Sequence, residues 1–365
     1  IHERLVGSEM CIRDSGISLV YILRGAGTYS WFDLIRDSFI FQYGWFAFIP
    51  FLFKDKLHLI WDSFSWIYKW FPFAALLNFV LQYFVPFFEN ITPFGGIPIL
   101  LYKNGDMGVH LLISSLFFLY AFEKYSFKWR AVLSTLIVLD FLILASYSRS
   151  GMLSFLASLF CFIYFNKDIQ LQKRTKLLFK YLPILLLIVT PIYINLKVSE
   201  NFQGRSVGFE QIKNNFSSIV GGTTDATSED NVVWRLVWWA KIIDYSFTKA
   251  NFIAGKGLGM SLATDDDIIT LDETLRSPHN FHLNIMARFG VLIFIAWCYF
   301  MALFLVPLFQ RKLQGKLLLI GCALFAFLLN ASFDVFLEGP MGAFPFWTWV
   351  GLYLLCLLYT FPSPR

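Results

Sequence analysis

Charged side chains are scarce in this sequence. Asp, Glu, Lys and Arg make up only 15% of its 365 residues, whereas soluble domains carry about 25%. Hydrophobic residues make up 57%, and the mean hydropathy is +0.59. This balance excludes an ordinary soluble enzyme and indicates a polytopic membrane protein. The apolar runs are continuous rather than alternating, and lipid offers no water to an open backbone. The composition therefore predicts an all-α fold instead of a β-barrel.

Cysteine is also scarce, with five residues in the chain. Four of them stand inside apolar runs, and their positions fit neither a metal site nor a disulfide framework. We interpret these four as packing residues: Cys161, Cys298, Cys322 and Cys356. The net charge of +5 arises from basic residues in short loops between apolar runs. That placement is typical of membrane topology and argues against a nucleic-acid partner.

The two ends of the chain differ in character from the rest. Residues 1–15 and 357–365 resemble translated sequencing adapter, so both stretches are excluded from the prediction of the fold. We accordingly expect the natural protein to start earlier and to end later than this sequence. One or more N-terminal helices are expected to be missing.

The apolar runs predict about nine membrane-spanning helices, because about 20 apolar residues cross a hydrocarbon layer about 30 Å thick. The predicted spans centre on residues 38–53, 70–88, 107–122, 131–148, 152–165, 181–195, 286–309, 317–333 and 343–360. Between the end stretches we expect three regions. They are an N-terminal transmembrane bundle (16–196), a large polar loop (197–288) and C-terminal transmembrane helices (289–356).

Lys and Arg gather in alternate connections between these spans. The basic connections are 54–56, 124–130, 167–180 and 311–316, and all four fall on one side if the nine spans alternate. That side is predicted to be cytoplasmic. The opposite connections are poor in Lys and Arg, so the loop 197–288 and the end of the 131–148 span are predicted to face outward.

The polar loop is expected to contain secondary structure, because a structureless connection of this length is unusual. Asp230 and Asn231 are good N-cap residues for a helix that runs to about Tyr245. Arg235, Trp238 and Trp239 are neighbours on adjacent turns of that helix. Trp-rich amphipathic helices often lie at the membrane interface, and we expect the same of this one.

Two arginines are candidate anion ligands, because guanidinium presents a planar fork that matches phosphate oxygens. Arg149 follows Ser148 at the outer end of a predicted span, and Arg235 lies on the loop helix. For Arg149 the alternative is a turn residue whose side chain reaches the interface, and for Arg235 it is contact with lipid headgroups.

His279 is the candidate general base. Ser277 as N-cap and Pro278 at the first helical position predict a helix start that places His279 in the first turn. The positive end of the helix dipole favours neutral imidazole there, which is the form that a base requires. A capping or interfacial histidine is the alternative. His282, one turn later, is not expected to form a metal site with it, because further ligands at sensible spacing do not appear.

The ordered set of these motifs resembles the O-antigen ligase and polymerase superfamily of bacterial envelope enzymes. The motifs are Ser148-Arg149-Ser150-Gly151, Arg235 with Trp238 and Trp239, Gly255-Lys256-Gly257-Leu258-Gly259, Pro278-His279-Asn280-Phe281 with Leu283 and Gly290, and a final stretch from Phe333-Asp334 through Leu337-Glu338-Gly339-Pro340 to Gly351. The glycine-rich motif is neither a Walker loop nor a dinucleotide fingerprint, and by itself it predicts a turn.

The resemblance implies a GT-C-like, inverting glycosyltransferase that needs no metal or other cofactor and acts at the periplasmic face of the inner membrane. Its donor would be an undecaprenyl-diphosphate-linked glycan, and its acceptor a sugar hydroxyl on a glycan or on the lipid A core. Arg149 and Arg235 would bind phosphate, and His279 would be the base. Ser150, Trp239 and Asn280 would contact substrate, and the loop tryptophans would offer apolar faces to sugars.

Other functions remain open at this stage. A polymerase shares every motif with a ligase. An intramembrane serine protease could use Ser150 and His279, but Ser148 stands where its Gly-x-Ser-Gly motif needs the first glycine. A glycan flippase or another transporter would be expected to carry charges through many spans and an internal repeat, and the sequence offers essentially only Asp140.

Overall fold

The computed structural model describes residues 16–85, 87, 91, 103–195, 207–219, 226–268 and 275–360. The stretch 1–15 and residues 361–365 lie outside the described residues. Within the described part the chain is helical, apart from turns, short connections and one isolated bridge between Ala26 and Tyr29. The predicted all-α architecture is confirmed.

Fifteen α-helices are described, and we number them in chain order. They are α1 (Gly16–Gly25), α2 (Trp31–Gln42), α3 (Ile49–Leu52), α4 (Leu57–Phe84), α5 (Asn104–Tyr120), α6 (Phe127–Tyr147), α7 (Arg149–Phe165), α8 (Ile169–Asn195), α9 (Phe209–Ile219), α10 (Ala226–Ser246), α11 (Lys249–Ala254), α12 (Leu262–Asp265), α13 (Phe281–Phe309), α14 (Gly315–Ala331) and α15 (Pro340–Thr360). Short 3-10 helices occupy Tyr43–Phe48, Lys54–Lys56, Phe122–Lys124 and Phe336–Glu338.

Five of the described helices are long and apolar enough to cross a membrane, so the chain is a multi-pass membrane protein. These candidate spans are Lys54–Phe84, Phe127–Tyr147, Ile169–Ile194, Phe281–Phe309 and Pro340–Leu358. Shorter apolar helices cover Gly16–Gly25, Gly105–Tyr120, Arg149–Phe165 and Gly315–Ala331. Each predicted span except 38–53 and 286–309 therefore corresponds to a single helix. In 286–309 the helix α13 has a kink at Gly290, whose φ of 85° is not helical. The helix α1 was not predicted.

The predicted span 38–53 is wrong as a continuous helix. Here α2 ends at Gln42, a 3-10 helix follows over Tyr43–Phe48, and Pro50 stands in the first turn of α3. The 3-10 segment packs on α15, where Gly351 has no side chain and so leaves room for the backbone of Ala47. This tertiary contact and the proline lie where the backbone changes between α-helix and 3-10 helix, so the apolar run is not one continuous α-helix.

The long polar segment contains helices, as predicted. Its helices are α9, α10, α11 and α12, and α13 begins inside its C-terminal end. The N-cap prediction at Asp230 and Asn231 is wrong, because α10 already begins at Ala226 and ends at Ser246. The helix thus starts about one turn earlier than the capping residues indicated.

The chain divides into two compact units. The first consists of Ile1–Leu57, Ala226–Gln310 and Phe327–Arg365, and the second of His58–Asp225 and Arg311–Ala326. In the first unit α10, α12 and α13 share a core around Trp238, Ile242 and Met286. In the second unit α4, α6 and α8 pack around Phe79, Tyr147 and Tyr193. The candidate loop residues after position 226 all belong to the first unit.

Candidate active site

His279 lies in a turn before α13 and not inside the helix. Asn280 is the N-cap, since its side-chain oxygen accepts the backbone N–H of Leu283 at 3.0 Å, and the helix begins at Phe281. The prediction that Ser277 caps the helix, with Pro278 at its first position, is therefore wrong. His279 has a φ of 49°, a left-handed conformation that is uncommon outside glycine, although Asn, Asp and His adopt it more often than other residues.

The imidazole of His279 faces a carboxylate. Its Nδ1 is 3.6 Å from Oδ1 of Asp334, and the two side chains remain 28% and 20% exposed. The same Oδ1 accepts the backbone N–H of Val335 at 2.7 Å, which fixes the orientation of the carboxylate. A carboxylate beside Nδ1 favours the tautomer that carries its proton there and leaves Nε2 with a lone pair.

Arg235 lies beside the same short segment. Its Nη1 donates to the carbonyl of Phe333, the residue before Asp334, at 3.4 Å. The guanidinium also lies 5.5 Å from the ring of Trp234, and that ring contacts His279 edge-on at 6.1 Å between centroids. The described structure thus brings Arg235 and His279 together through residues 333–334 and Trp234.

The two following tryptophans have different environments. Trp239 is partly buried, and its indole Nε1 donates to the carbonyl of Pro278 at 2.7 Å, so α10 also holds the peptide before His279. Trp238 is fully buried and donates to Asp266 at 2.7 Å. The expectation that both tryptophans offer a face to sugars therefore fails for Trp238.

A buried polar network lies next to this turn. The hydroxyl of Ser277 donates to Oε2 of Glu338 at 2.9 Å, and the amide of Asn284 donates to Oε1 at 2.8 Å. Nε of Arg288 donates to Asn284 at 3.0 Å, and Nη1 of Arg288 is 3.0 Å from a carboxylate oxygen of Asp37. Burial raises the pKa of Glu338 to about 7, although Arg288 opposes the rise.

The glycine-rich segment forms a turn against the start of α13, as its composition indicated. Gly255 and Gly290 both have positive φ, and each would place an added Cβ against the other segment's backbone. The backbone N–H groups of Lys256 and Gly257 donate to the carbonyls of Ala287 and Arg288, both at 2.8 Å. Glycine is required here because two backbones meet in direct contact.

Arg149 and Ser150 belong to the second unit and stand at the start of α7. The hydroxyl of Ser148 caps this helix by accepting the N–H of Gly151 at 3.0 Å. Nη1 of Arg149 donates to the hydroxyl of Ser218 on α9 at 2.6 Å. The hydroxyl of Ser150 is 3.2 Å from that of Ser148.

His282 has a packing role in the described structure. Its Nδ1 accepts the indole N–H of Trp297 at 2.9 Å, so Nε2 carries the proton and donates to the carbonyl of Leu328 at 3.1 Å. Both ring nitrogens are therefore occupied by protein groups, which agrees with discounting His282 as a metal ligand.

Three carboxylates of this site were not singled out by sequence reasoning. Asp334 and Glu338 were named only as part of the final motif, and Asp37 stands just before the predicted span 38–53. The sequence did contain a signal for Asp334 and Glu338, because the turn between the last two predicted spans has acidic residues and no Lys or Arg. Asp37 offered no signal, because the site residues that it contacts, Gly259, Arg276 and Arg288, lie more than 200 residues away.

Comparison with known proteins gives a match to a protein family. Residues 131–298 match the family model described as O-Antigen ligase. No curated protein and no solved structure matches the chain. The matched range contains Arg149, Arg235 and His279 and ends inside α13, whereas Asp334 and Glu338 follow it.

Proposed function

The chain belongs to the O-antigen ligase and polymerase superfamily through residues 131–298, and on this premise we propose that it is a ligase-type glycosyltransferase. It transfers a glycan from an undecaprenyl-diphosphate-linked donor to a sugar hydroxyl at the periplasmic face of the inner membrane. The acceptor of a ligase is the lipid A core. A polymerase would carry out the same step with a second lipid-linked glycan as the acceptor.

The arrangement around His279 carries this proposal. A partly exposed imidazole has its Nδ1 toward Asp334, and the guanidinium of Arg235 donates to the carbonyl of the preceding residue, Phe333. Transfer from a diphosphate needs both kinds of group: a base for the acceptor hydroxyl and cationic donors for the leaving group. A capping histidine would need neither the carboxylate nor the arginine.

The proposed step is a direct displacement. The acceptor oxygen attacks the anomeric carbon while the bond from that carbon to the diphosphate oxygen breaks, and undecaprenyl diphosphate leaves with the bonding electrons. Nε2 of His279 takes the proton of the acceptor hydroxyl, and Asp334 stabilises the resulting imidazolium. Attack opposite the leaving group inverts the anomeric configuration.

Arg235 is proposed to bind the diphosphate of the donor, in which each charged hydrogen bond contributes about 1.5 to 3 kcal/mol. Arg149 is proposed as a second phosphate ligand on the family resemblance, and Ser150 as a substrate contact. In the first unit Trp239 donates to the carbonyl of Pro278 and Asn280 follows His279 in the chain, and both residues are proposed to contact the sugars.

The proposal is tested with purified protein in proteoliposomes that contain a lipid-diphosphate-linked glycan. Two acceptors are offered separately, a lipid A core and a second lipid-linked glycan, and products are identified by mass. We expect transfer to the lipid A core, and His279→Gln should lower the turnover by at least about 10²-fold while donor binding persists.

The matched control is His58→Gln, because His58 is an exposed histidine of the other unit. It should leave turnover unchanged. Transfer to the lipid-linked glycan alone would make the protein a polymerase. Near wild-type turnover by His279→Gln would remove the general-base assignment.

A further inference from the structure

The turn that presents His279 is held at every residue from 276 to 280. Arg276 contacts Asp33 and Asp37, Ser277 donates to Glu338, and the carbonyl of Pro278 accepts from Trp239. His279 faces Asp334, and Asn280 caps α13. A left-handed backbone at a histidine persists only where its surroundings determine it, and these contacts are those surroundings.

Glu338 differs from the other residues that contact this turn, because it binds one residue before His279 in the chain and one residue after it. Ser277 lies two residues before the histidine. Asn284 lies five residues after it, and its backbone N–H donates to the carbonyl of Asn280 at 2.9 Å in the first turn of α13. One carboxylate therefore joins the approach to the turn with the helix that follows it.

The orientation of Glu338 also depends on the contacts that its partner Asn284 makes with Arg288. The amide nitrogen of Asn284 donates to Oε1 of Glu338, its oxygen accepts from Nε of Arg288, and Arg288 is paired with Asp37 on α2. Oε2 of Glu338 accepts from Ser277, so both oxygens of Glu338 are hydrogen-bonded. Satisfied buried networks of this kind hold a single geometry.

The same short segment supplies three elements of the site. Between residues 333 and 338 it offers the carbonyl that binds Arg235, the carboxylate that faces His279, and Glu338. The 3-10 helix Phe336–Glu338 begins two residues after Asp334 and ends at Glu338. A change at Glu338 is thus expected to affect the histidine through Ser277 and Asn284, and also through the segment that carries Asp334.

We propose that Glu338 is a positioning residue for His279, acting through the hydroxyl of Ser277 and the amide of Asn284. It does not touch the reacting atoms. This inference rests on the proposed function for its kinetic consequence only, since the placement of the imidazole exists without substrate. Its test therefore needs one measurement that requires no turnover.

That measurement is the acylation rate of His279 by diethyl pyrocarbonate, followed by mass spectrometry of the peptide that contains it in the detergent-purified full chain. Glu338→Ala removes both hydrogen bonds, and Ser277→Ala removes one. We expect each to change the acylation rate of His279 at least about threefold. Glu338→Gln should restore it, because its amide oxygen accepts from Asn284 and its N–H donates to the serine hydroxyl.

In the transfer assay the same variants should separate turnover from binding. Glu338→Ala should lower kcat by about 10- to 100-fold with the KM for the donor within about twofold, because a small misplacement of a base affects the chemical step. The control is Glu123→Gln, which removes an exposed carboxylate that pairs with Arg174 in the other unit. It should change neither rate.

The outcomes distinguish the two proposals. An unchanged acylation rate of His279 in folded Glu338→Ala overturns the positioning role, whatever the activity. If that rate changes but His279→Gln transfers glycan normally, the positioning role stands and the general base is wrong. If Glu338→Ala does not fold, Ser277→Ala decides, and an unchanged rate there overturns the inference.

Discussion

The guanidinium of Arg235 donates to the carbonyl of Phe333 and lies beside the ring of Trp234. A bidentate pair with phosphate oxygens is stronger than either of these contacts, which fits its proposed role in binding the donor. We expect Arg235→Ala to abolish transfer and Arg235→Lys to retain about a tenth of it, since lysine keeps the charge and loses the fork.

A closely matched control exists for this arginine. Arg130, in the other unit, also donates to a carbonyl, that of Phe122, and lies 4.6 Å from the ring of the same residue. Arg130→Lys should leave transfer unchanged in the proteoliposome assay. Equal activity of Arg235→Lys and Arg130→Lys would show that the fork of Arg235 has no role in the reaction.

The raised pKa of Glu338 predicts that the stability of the protein depends on pH. This pKa is raised from 4.5 to about 7, first by burial and further by Asp37 and Asp334, while Arg288 lowers it. Because the folded state holds this proton more tightly than the unfolded chain, the contribution of Glu338 to stability is fully present below about pH 4.5. It is lost as the pH rises through about 7.

Thermal unfolding in detergent between pH 5 and pH 8 measures this effect. The melting temperature of the wild type should fall relative to that of Glu338→Gln as the pH rises, since glutamine does not titrate. A constant difference between the two proteins across this range would mean that Glu338 does not titrate there.

At the scale of elements, the contact between Gly255 and Gly290 joins α11 to α13. A methyl group at either position would meet backbone atoms that cannot move aside, and both residues have positive φ. We expect Gly255→Ala and Gly290→Ala each to destabilise the protein by about 3 kcal/mol or more, from backbone strain and overpacking together.

Gly257 separates these two causes. It also has positive φ, at 93°, but nothing lies within 4 Å of its added Cβ. Gly257→Ala should therefore cost only the backbone strain, about 1 kcal/mol. Melting temperatures of the three variants measure the difference, and equal shifts would contradict the direct contact of the two backbones.

The loop helix α10 shows which features can be predicted from local sequence patterns and which cannot. They predicted a helix with Arg235, Trp238 and Trp239 on one side, and the structure has that helix. They did not predict that Trp238 is buried, because its partner Asp266 lies 28 residues later. The exposed side of α10 instead carries Val233, Leu236 and Val237. Long-range hydrogen bonds decided which face turns inward.

The candidate site also has features that the sequence predicted and features that it did not. Arg235 and His279 were predictable because their residue types and the surrounding motifs carry the chemistry. The start of α13 was not, because serine before proline is a strong helix-start signal, and Asn280 nevertheless provides the cap. Here the bond between Ser277 and Glu338 uses the hydroxyl that a cap would have needed.

At the scale of the whole molecule, the apolar runs predicted the helical class and most helix positions because hydrophobic length is a local property. They failed at 38–53, where a 3-10 helix that packs on Gly351 interrupts the α-helix. Sidedness remains a prediction from the Lys and Arg pattern, which places the basic connections in the cytoplasm.

Sidedness can be measured by labelling single cysteines in a background without the native ones. Lys213, Thr264 and Gln172 are all exposed, the first two in the polar loop and the third in a basic connection. Cysteines at 213 and 264 should react with an impermeant maleimide added to spheroplasts, and a cysteine at 172 should react only after lysis. Labelling at 172 but not at 213 would invert the topology.

The left-handed backbone of His279 has a practical consequence for capturing substrates. Glycine adopts a φ of about 50° without strain, so His279→Gly would remove the imidazole and relax the turn at the same time. Alanine or glutamine there would keep the strain that histidine bears. On the proposed role of His279 as the base, we expect the glycine variant to be inactive and well suited to trapping donor and acceptor together, because its backbone is also less strained.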